Sequence, residues 1–184
     1  MIVMDLEWNR SYDRKKLDEI LQIGAVRTAY PGGPITDSFC VFIRPRVHKS
    51  FDPGARKQPD LQCAIDSEET FASAWAAFRA WCGDDRVFAF WGPDDFGVIR
   101  QNCAYWGVDA FEPEKVYNYQ RAFSHAYGSS SVAALWRVVD YLGIPDVFEY
   151  HNALYDAMYT ALVGAWLRQE DLEDVPQRRG KRRR

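Results

Sequence analysis

The sequence predicts an α/β fold in which a mixed central sheet is covered by helices on both faces. Three observations favour this class. Strand-like segments fill much of the first 45 residues, helices alternate with strands from residue 67 onward, and the 184-residue chain is 47% hydrophobic. A chain of this size buries a full core as one domain and is short for two. We therefore expect one domain over residues 1–174 and a basic tail over 175–184.

The first three strands are predicted to form an antiparallel meander. MIVMDLEW (1–8) is a short apolar run, LQIGAVRTAY (21–30) is a second strand, and SFCVFIRP (38–45) is a third. The turn sequence PGGP (31–34) separates the second strand from the third. Residues 46–68 lack periodicity and contain two prolines. They therefore predict a long loop, of the sort that is often functional.

Helices and strands then alternate. Aromatic residues at helical spacing predict a helix over 71–82, with Ser67 as its N-cap and Gly83 near its end. The remaining predicted elements are a buried strand at 86–91, a helix at 94–107, a strand at 115–120, and helices at 129–143 and 153–169. In such a layout the first strand lies centrally, and open α/β sheets build their sites at the C-terminal ends of their strands.

Charge is unevenly distributed along the chain. The formal net charge is −3, and the last seven residues, RRGKRRR, carry six positive charges, which leaves −9 for the rest (−3 − 6 = −9). Three interpretations of the tail stay open: a solvated end, an arm that binds phosphates, or a nuclear-localisation signal.

We expect an intracellular, soluble protein. The N-terminus lacks a basic region before its apolar run, and no stretch approaches twenty apolar residues. The cytoplasm is the expected compartment, with the nucleus left open by the tail. The cysteines have no close pair of the kind that binds zinc and are expected to be reduced core thiols: Cys40, Cys63, Cys82 and Cys103.

Two carboxylates interrupt the first strand. Residues i and i+2 of a strand point to the same side, so Asp5 and Glu7 project together. Crowded, desolvated carboxylates resist ionisation unless a cation neutralises them, and a hard divalent metal ion is the simplest one. The pair alone leaves two interpretations open: a metal site, or an edge strand whose carboxylates lie in water.

Two further segments carry polar residues to the same edge of the sheet. In WGPDDFG (91–97) the fourth strand ends, and Asp94 or Asp95 begins a helix, where either can serve as the N-cap. We expect Asp94 only to cap. In HNALYD (151–156), His151 precedes the last helix and Asp156 lies in its first turn. The apolar stripe predicted to face the core excludes Asp156 and consists of Leu154, Met158, Ala161 and Ala165.

Together these motifs resemble the DnaQ-like 3′–5′ exonucleases of the DEDDh type. The resemblance rests on Asp-x-Glu in the first strand, aspartate after the fourth, and His-x-x-x-x-Asp at the start of the last long helix. DLEWN (5–9) followed by EILQIGAV (19–26) looks most like the Eri-type exoribonucleases and their bacterial relatives. WGPDD looks like that group's second motif, which favours Asp95 over Asp94 as the metal ligand. The implied fold is a ribonuclease H-like mixed sheet of five strands with strand 2 antiparallel.

The resemblance also implies a mechanism. Two divalent ions about 3.5 to 4 Å apart assist phosphodiester hydrolysis in many nucleases. The four implied ligands are Asp5, Glu7, Asp95 and Asp156, and Mg²⁺ is the expected ion, with Mn²⁺ able to substitute. His151 is then the general base. An imidazole with the reference pKa of about 6.5 is mostly neutral above pH 7, so we expect activity to rise with pH.

The expected substrate is the 3′ end of single-stranded RNA or DNA. Aromatic side chains stack on bases without much sequence preference, and Trp8 and Phe96 directly follow predicted metal ligands. Asn9 is expected to bind a sugar or phosphate. For Phe96 a place in the core is an equal alternative. The 46–68 loop is expected to close over the 3′ end with its cations near the phosphate path: His48, Lys49, Arg56 and Lys57.

Other functions stay open at this stage. Eri-like motifs favour RNA, whereas related enzymes trim DNA overhangs, including those of CRISPR spacer precursors. A catalytically silent nucleic-acid-binding scaffold and an internally cleaving nuclease on the same fold are the alternatives from other classes. Related enzymes occur as monomers, as homodimers and as subunits of larger complexes, and the sequence does not choose among these states.

Overall fold

The central strand of the fold is the one that carries Asp5 and Glu7. A computed structural model of the protein describes residues 1–11, 13, 16–92, 95–129 and 131–173. It contains a five-stranded sheet of order β3-β2-β1-β4-β5. The strands are β1 (Ile2–Asn9), β2 (Glu19–Thr28), β3 (Ile35–Phe42), β4 (Val87–Phe90) and β5 (Lys115–Asn118). Strand β2 is antiparallel to both neighbours, and β1, β4 and β5 are parallel, which confirms the predicted ribonuclease H-like sheet.

Helices cover both faces of this sheet. In chain order they are α1 (Leu61–Asp66), α2 (Phe71–Cys82), α3 (Asp95–Trp106), α4 (Tyr119–Ala126), α5 (Leu135–Tyr141), α6 (Ala153–Gly164) and α7 (Gln169–Glu173). On one face Ile2, Met4 and Leu6 of β1 pack in a core with buried residues of α2 and α3. On the other face Val3 packs in a core with buried residues of α4, α5 and α6. Strand β1 is therefore buried on both sides, as its apolar run predicts.

The buried face of helix α6 only partly follows the predicted stripe. Of that stripe, Ala161 is buried, Leu154 and Met158 are partly buried against the core, and Ala165 is exposed. The start of the helix packs directly on β2. A Cβ added to Gly24 would overlap the backbone of both Ala153 and Leu154. Because the helix and strand backbones touch there, the small residue Ala153 is buried at the position next to the predicted Leu154.

The 46–68 segment is more regular than predicted. It contains a 3₁₀ turn, Ala55–Lys57, and helix α1. Leu21 is buried with Ala55 and Ala64 in a separate small core beneath this segment. Leu21 thus packs with two residues more than 30 positions away, Ala55 and Ala64, and this packing orders the 46–68 segment although its sequence has no periodicity.

Several element boundaries also differ from prediction. Strands β2 and β3 begin two and three residues earlier (Glu19 and Ile35), the fifth strand ends at Asn118 because that side chain caps α4, and α5 begins only at Leu135. The last long helix ends at Gly164 rather than 169. Thr70, not Ser67, caps α2 through a capping box with Ser73. Cys82 and Cys103 are buried, but Cys40 and Cys63 are exposed, so they are not core thiols.

Some predictions fall outside the described part of the chain. The capping role of Asp94 and the structure of the 175–184 tail lie among residues that the structure does not describe. The boundary between domain and tail stays a prediction. Among the described residues, no helix has the length and apolar character that crossing a bilayer requires.

Candidate active site

One cleft collects all five residues that the motifs single out. Its volume is about 710 Å³, and Asp5, Glu7, Asp95, His151 and Asp156 all line it. Its other lining residues include Trp8, Arg10, Asp52, Lys57, Gln58 and Trp91. Residues from β1, from the start of α3 and from the start of α6 therefore meet at one place.

The pairing of β1 explains why its carboxylates reach this cleft. Strand β4 pairs with β1 only at Ile2 and Val3, so Asp5 and Glu7 lie beyond the end of their parallel neighbour. They alternate with Met4 and Leu6, whose side chains fill the core of the opposite face. The ladder with β2 shifts register between Glu7 and Trp8. Such a bulge changes the direction of a side chain next to a site, and Trp8 lines the cleft together with Glu7.

Asp95 is supplied by the start of α3. It is the first helical residue and is only 4% exposed. A carboxylate in the first turn is favoured by the helix dipole. The position places a buried acid opposite the two carboxylates of β1.

The turn before α6 positions His151 and Asp156 together. Asn152 caps the helix by accepting hydrogen bonds from the backbone N–H groups of Leu154 and Tyr155. His151 has φ of +65°, a left-handed conformation that is uncommon outside glycine and that His, Asn and Asp tolerate better than most residues. Its backbone N–H donates to Oδ2 of Asp156 at 3.1 Å. This bond ties the strained residue to the first turn of its helix.

Three of these side chains form a compact donor group. One ligand atom from each of Glu7, His151 and Asp156 lies within 4.8 Å of the others. His151 is exposed, whereas Glu7 and Asp156 are half-buried. The imidazole therefore stands at the solvent side of the carboxylates.

Burial and mutual repulsion make these carboxylates hard to ionise. Burial raises the pKa of Asp5 well above its usual value, and the charges of Asp95, Asp156 and Glu7 raise it further. Burial, followed by the charge of Asp156, raises the pKa of Glu7 to about 8 against the opposing hydrogen bond from Gln58. Burial raises the pKa of Asp156 to about 7 although the His151 N–H opposes the shift.

The donor set suits a hard divalent cation. Oδ1 of Asp156 is buried and has no hydrogen-bond partner among the described residues. Buried oxygens without partners are costly, and clustered carboxylates need neutralisation. A divalent ion that prefers oxygen ligands would meet both requirements.

Comparison with known proteins gives the family. The exonuclease family model for RNase T matches residues 2–163, which is most of the chain. The chain belongs to this exonuclease family. No curated protein matches it significantly by sequence.

Solved structures with the same fold agree with that assignment. Cell-death related nuclease 4 (CRN-4) has a TM-score of 0.74 at 17% identity. The match covers 88% of this chain and 61% of the CRN-4 chain. The nuclease domain of 3′hExo, a DEDDh family member bound to rAMP, has a TM-score of 0.76 at 16% identity, covering 90% of this chain and 89% of that one. A full-length 3′-exonuclease has a TM-score of 0.78 at 16% identity, covering 94% and 82%. The predicted DnaQ-like DEDDh superfamily is confirmed, whereas the closer relation to the Eri-type group stays a prediction.

Two of the predicted substrate ligands of the exonuclease take part in its packing. Asn9 is 1% exposed, and its amide donates to the Ser50 carbonyl and accepts from the Asp52 N–H, both at 2.9 Å. Phe96 packs edge-on against Phe88 and Phe90 and does not line the cleft. Of the three predicted ligands, Trp8 alone among the described residues borders the cleft.

The cations of the 46–68 segment of the exonuclease are also separated from one another. Lys57 is exposed and lines the cleft. His48 lines a neighbouring cavity. Lys49 and Arg56 are exposed and line neither cavity.

Positioning residues in the exonuclease were missed from the sequence. Gln58 donates to Oε2 of Glu7 at 2.7 Å across 51 residues of chain. Asn152, besides capping α6, donates to Asp60. The carbonyl oxygen of the Gln22 side chain accepts from the Ala153 N–H at 3.0 Å. These hydrogen bonds connect the 46–68 segment and β2 to β1 and to the start of α6. They could not be predicted from the sequence, because a single glutamine or asparagine in a segment without periodicity does not indicate its partner.

Divalent metal is expected to stabilise the exonuclease against heat, and more at pH 8 than at pH 6. The pKa of Glu7 is about 8 in the folded protein and 4.5 as the ordinary value, so folding favours its protonated form and stability falls as pH rises between these values. A cation reverses that loss by binding the carboxylate, and it competes with fewer protons at pH 8. At 100 times its dissociation constant, an ion adds about 2.7 kcal/mol, or roughly 5 to 10 °C in Tm. Thermal unfolding with EDTA, Mg²⁺ or Mn²⁺ measures this, and equal shifts at both pH values would contradict it.

Proposed function

We propose that this exonuclease removes nucleotides one at a time from the 3′ end of single-stranded RNA or DNA. The observation that carries the proposal is the convergence of four carboxylates and one imidazole in a single cleft. One of the structural relatives is described as a full-length 3′-exonuclease, which supports the 3′-to-5′ direction. The rAMP bound to the 3′hExo domain supports a ribonucleotide end as one substrate.

In this proposal Asp5, Glu7, Asp95 and Asp156 would hold two Mg²⁺ ions, with Mn²⁺ able to replace them. The ions would supply charge neutralisation at the phosphoryl oxygens and at the departing oxygen. Asp95, Asp156 and Glu7 all raise the pKa of Asp5, so the charge of Asp5 acts on each of the other three acids. A cation bound by Asp5 would therefore relieve its repulsion with all three.

His151 is proposed to act as the general base. A neutral ring nitrogen accepts a proton from the attacking water as the oxygen of that water bonds to phosphorus. The bond from phosphorus to the 3′-oxygen of the preceding nucleotide breaks, and that oxygen keeps the electron pair and takes a proton from water. The terminal residue is released as a nucleoside 5′-monophosphate, and the shortened strand ends in a 3′-hydroxyl. The exposed position of His151 beside Glu7 and Asp156 gives it access both to water and to the carboxylates.

Trp8 is proposed to stack on a base near the end of the strand. Its indole is partly buried and borders the cleft next to Glu7. Stacking on an aromatic ring contributes about 1 to 3 kcal/mol per base and tolerates any sequence. The proposal therefore expects little sequence preference.

A 5′-labelled single strand incubated with Mg²⁺ or Mn²⁺ is expected to give a ladder that shortens by one nucleotide at a time. Parallel RNA and DNA strands of the same sequence decide the sugar preference, and a strand with a blocked 3′ end is the matched control. Internal fragments from the blocked strand would indicate an internally cleaving nuclease. Intact strands under all conditions would support the silent scaffold and end the proposal.

A further inference from the structure

A second cavity lies beside the cleft and contains none of its catalytic residues. Its volume is about 210 Å³, and it shares Arg10 and Asp52 with the cleft. Its other lining residues are Ser11, Asp13, Lys16, His48 and Ser50. Because two residues line both spaces, the second cavity lies directly beside the cleft. We call the second cavity the side groove.

The backbone around the side groove is held in place by buried polar groups. The Glu19 carboxylate, 2% exposed, accepts hydrogen bonds from the N–H groups of residues 46, 47 and 48 at 2.6 to 3.2 Å. The His48 ring donates from Nε2 to the Leu17 carbonyl at 2.7 Å. Asn102, fully buried in α3, donates to the Asp18 carbonyl. The segments that carry the groove are thus anchored to α3 and to each other.

The side groove is lined by two side chains that carry a full positive charge, Arg10 and Lys16, and by two carboxylates, Asp13 and Asp52. Arg10 and Lys16 are exposed. Of the two groove acids, Asp52 already accepts the N–H groups of Arg10 and Gly54 with its two oxygens. Arg10 and Lys16 are therefore the charged donors that this groove offers to an anion.

An aromatic ring marks the border between the groove and the cleft. The Arg10 guanidinium carbon lies 6.0 Å from the centre of the Trp8 ring, and both residues line the cleft. Aromatic rings interleaved with cations along a groove are the arrangement that proteins use to bind single strands. The Trp8 ring would stack on a base, while Arg10 and Lys16 would bind the phosphates next to it.

We propose that Arg10 and Lys16 bind backbone phosphates of the substrate strand a few nucleotides upstream of its 3′ end. This inference rests on the proposed function and adds the path of the strand outside the catalytic cleft. Phosphate contacts by exposed cations act on affinity and depend on salt, because each contact releases condensed counterions. The groove should therefore act on long strands and leave no mark on a substrate too short to reach it.

Substrate length separates the groove from the catalytic cleft. The kcat/KM values for a 12-mer and for a dinucleotide are measured with Mn²⁺ for the wild type and for Lys16→Gln, because Lys16 lines the side groove and not the catalytic cleft. The ratio of the 12-mer value to the dinucleotide value is expected to fall roughly threefold in Lys16→Gln. Lys16→Arg keeps the charge and should restore the ratio, whereas Arg137→Gln, an exposed cation of α5 that lines neither cavity, should not change it.

Salt dependence gives a readout that a purely structural role would not change. The slope of log K against log salt for the 12-mer, measured with Ca²⁺ in place of the active ion, should lose about 0.7 for each phosphate contact removed. An unchanged salt slope and length ratio in Lys16→Gln, with normal dinucleotide turnover, would overturn the proposed role of the side groove and leave the exonuclease proposal standing. Failure of the wild type to cleave the dinucleotide and the 12-mer would overturn the proposed function itself.

Discussion

His151→Ala is expected to lower kcat by about 10² to 10⁴-fold, the usual contribution of a positioned general base. The imidazole lies next to Glu7 and Asp156 at the solvent side of the cleft, where an attacking water would be activated. The four carboxylates remain in this variant, so binding of Mn²⁺ should survive. Single-turnover cleavage of a labelled strand at saturating Mn²⁺ measures the loss, and thermal unfolding with and without Mn²⁺ measures ion binding.

The left-handed backbone at His151 requires a matched control. Its φ of +65° is strained for alanine, so His151→Ala combines loss of the base with a backbone effect. Asparagine adopts this conformation more readily and offers no comparable base. His151→Asn should therefore be as inactive as His151→Ala but more stable. Activity within a few-fold of the wild type in His151→Asn would exclude the imidazole as the base.

The catalytic motifs were predictable because each is short and local. The apolar run of β1 with acids at alternate positions defines both a central strand and the face of Asp5 and Glu7. His151 and Asp156 lie only five residues apart at one helix start, so a single short motif carries both. Their convergence with Asp95 follows from the family resemblance, since no local pattern links residues 90 positions apart.

The remainder of the site depends on contacts that leave no periodic signal. Gln58 reaches Glu7 only because Leu21 and Ala55 order the segment in which it lies. Burial of Asn9 by the 50–52 backbone likewise depends on a fold that brings residues 41 to 43 positions apart into contact. The face of α6 was misjudged for the same reason. Its packing follows the absence of a side chain at Gly24, which hydrophobic periodicity along α6 does not detect.

Asp5→Asn is expected to abolish activity while making the metal-free protein more stable. The pKa of Asp5 is raised by burial and by the charges of Asp95, Asp156 and Glu7, so its ionised form destabilises the fold above its ordinary pKa of 3.8. An uncharged amide of the same shape removes that repulsion. Each kcal/mol relieved raises Tm by about 2 to 4 °C for a chain of this size. Charge stabilisation by metal ions contributes several kcal/mol, so activity should fall by roughly 10³-fold or more.

The two effects of Asp5→Asn must appear together. In EDTA at pH 8 the variant should unfold at a higher temperature than the wild type, and the stabilisation of the wild type by Mn²⁺ should be largely lost in the variant. Asp84→Asn, an exposed acid beyond α2, is the matched control and should change neither quantity. A variant that is inactive and less stable in EDTA would mean that Asp5 supports the fold. Only the opposite signs of the two changes identify a carboxylate whose burial is favourable when a cation is bound to it.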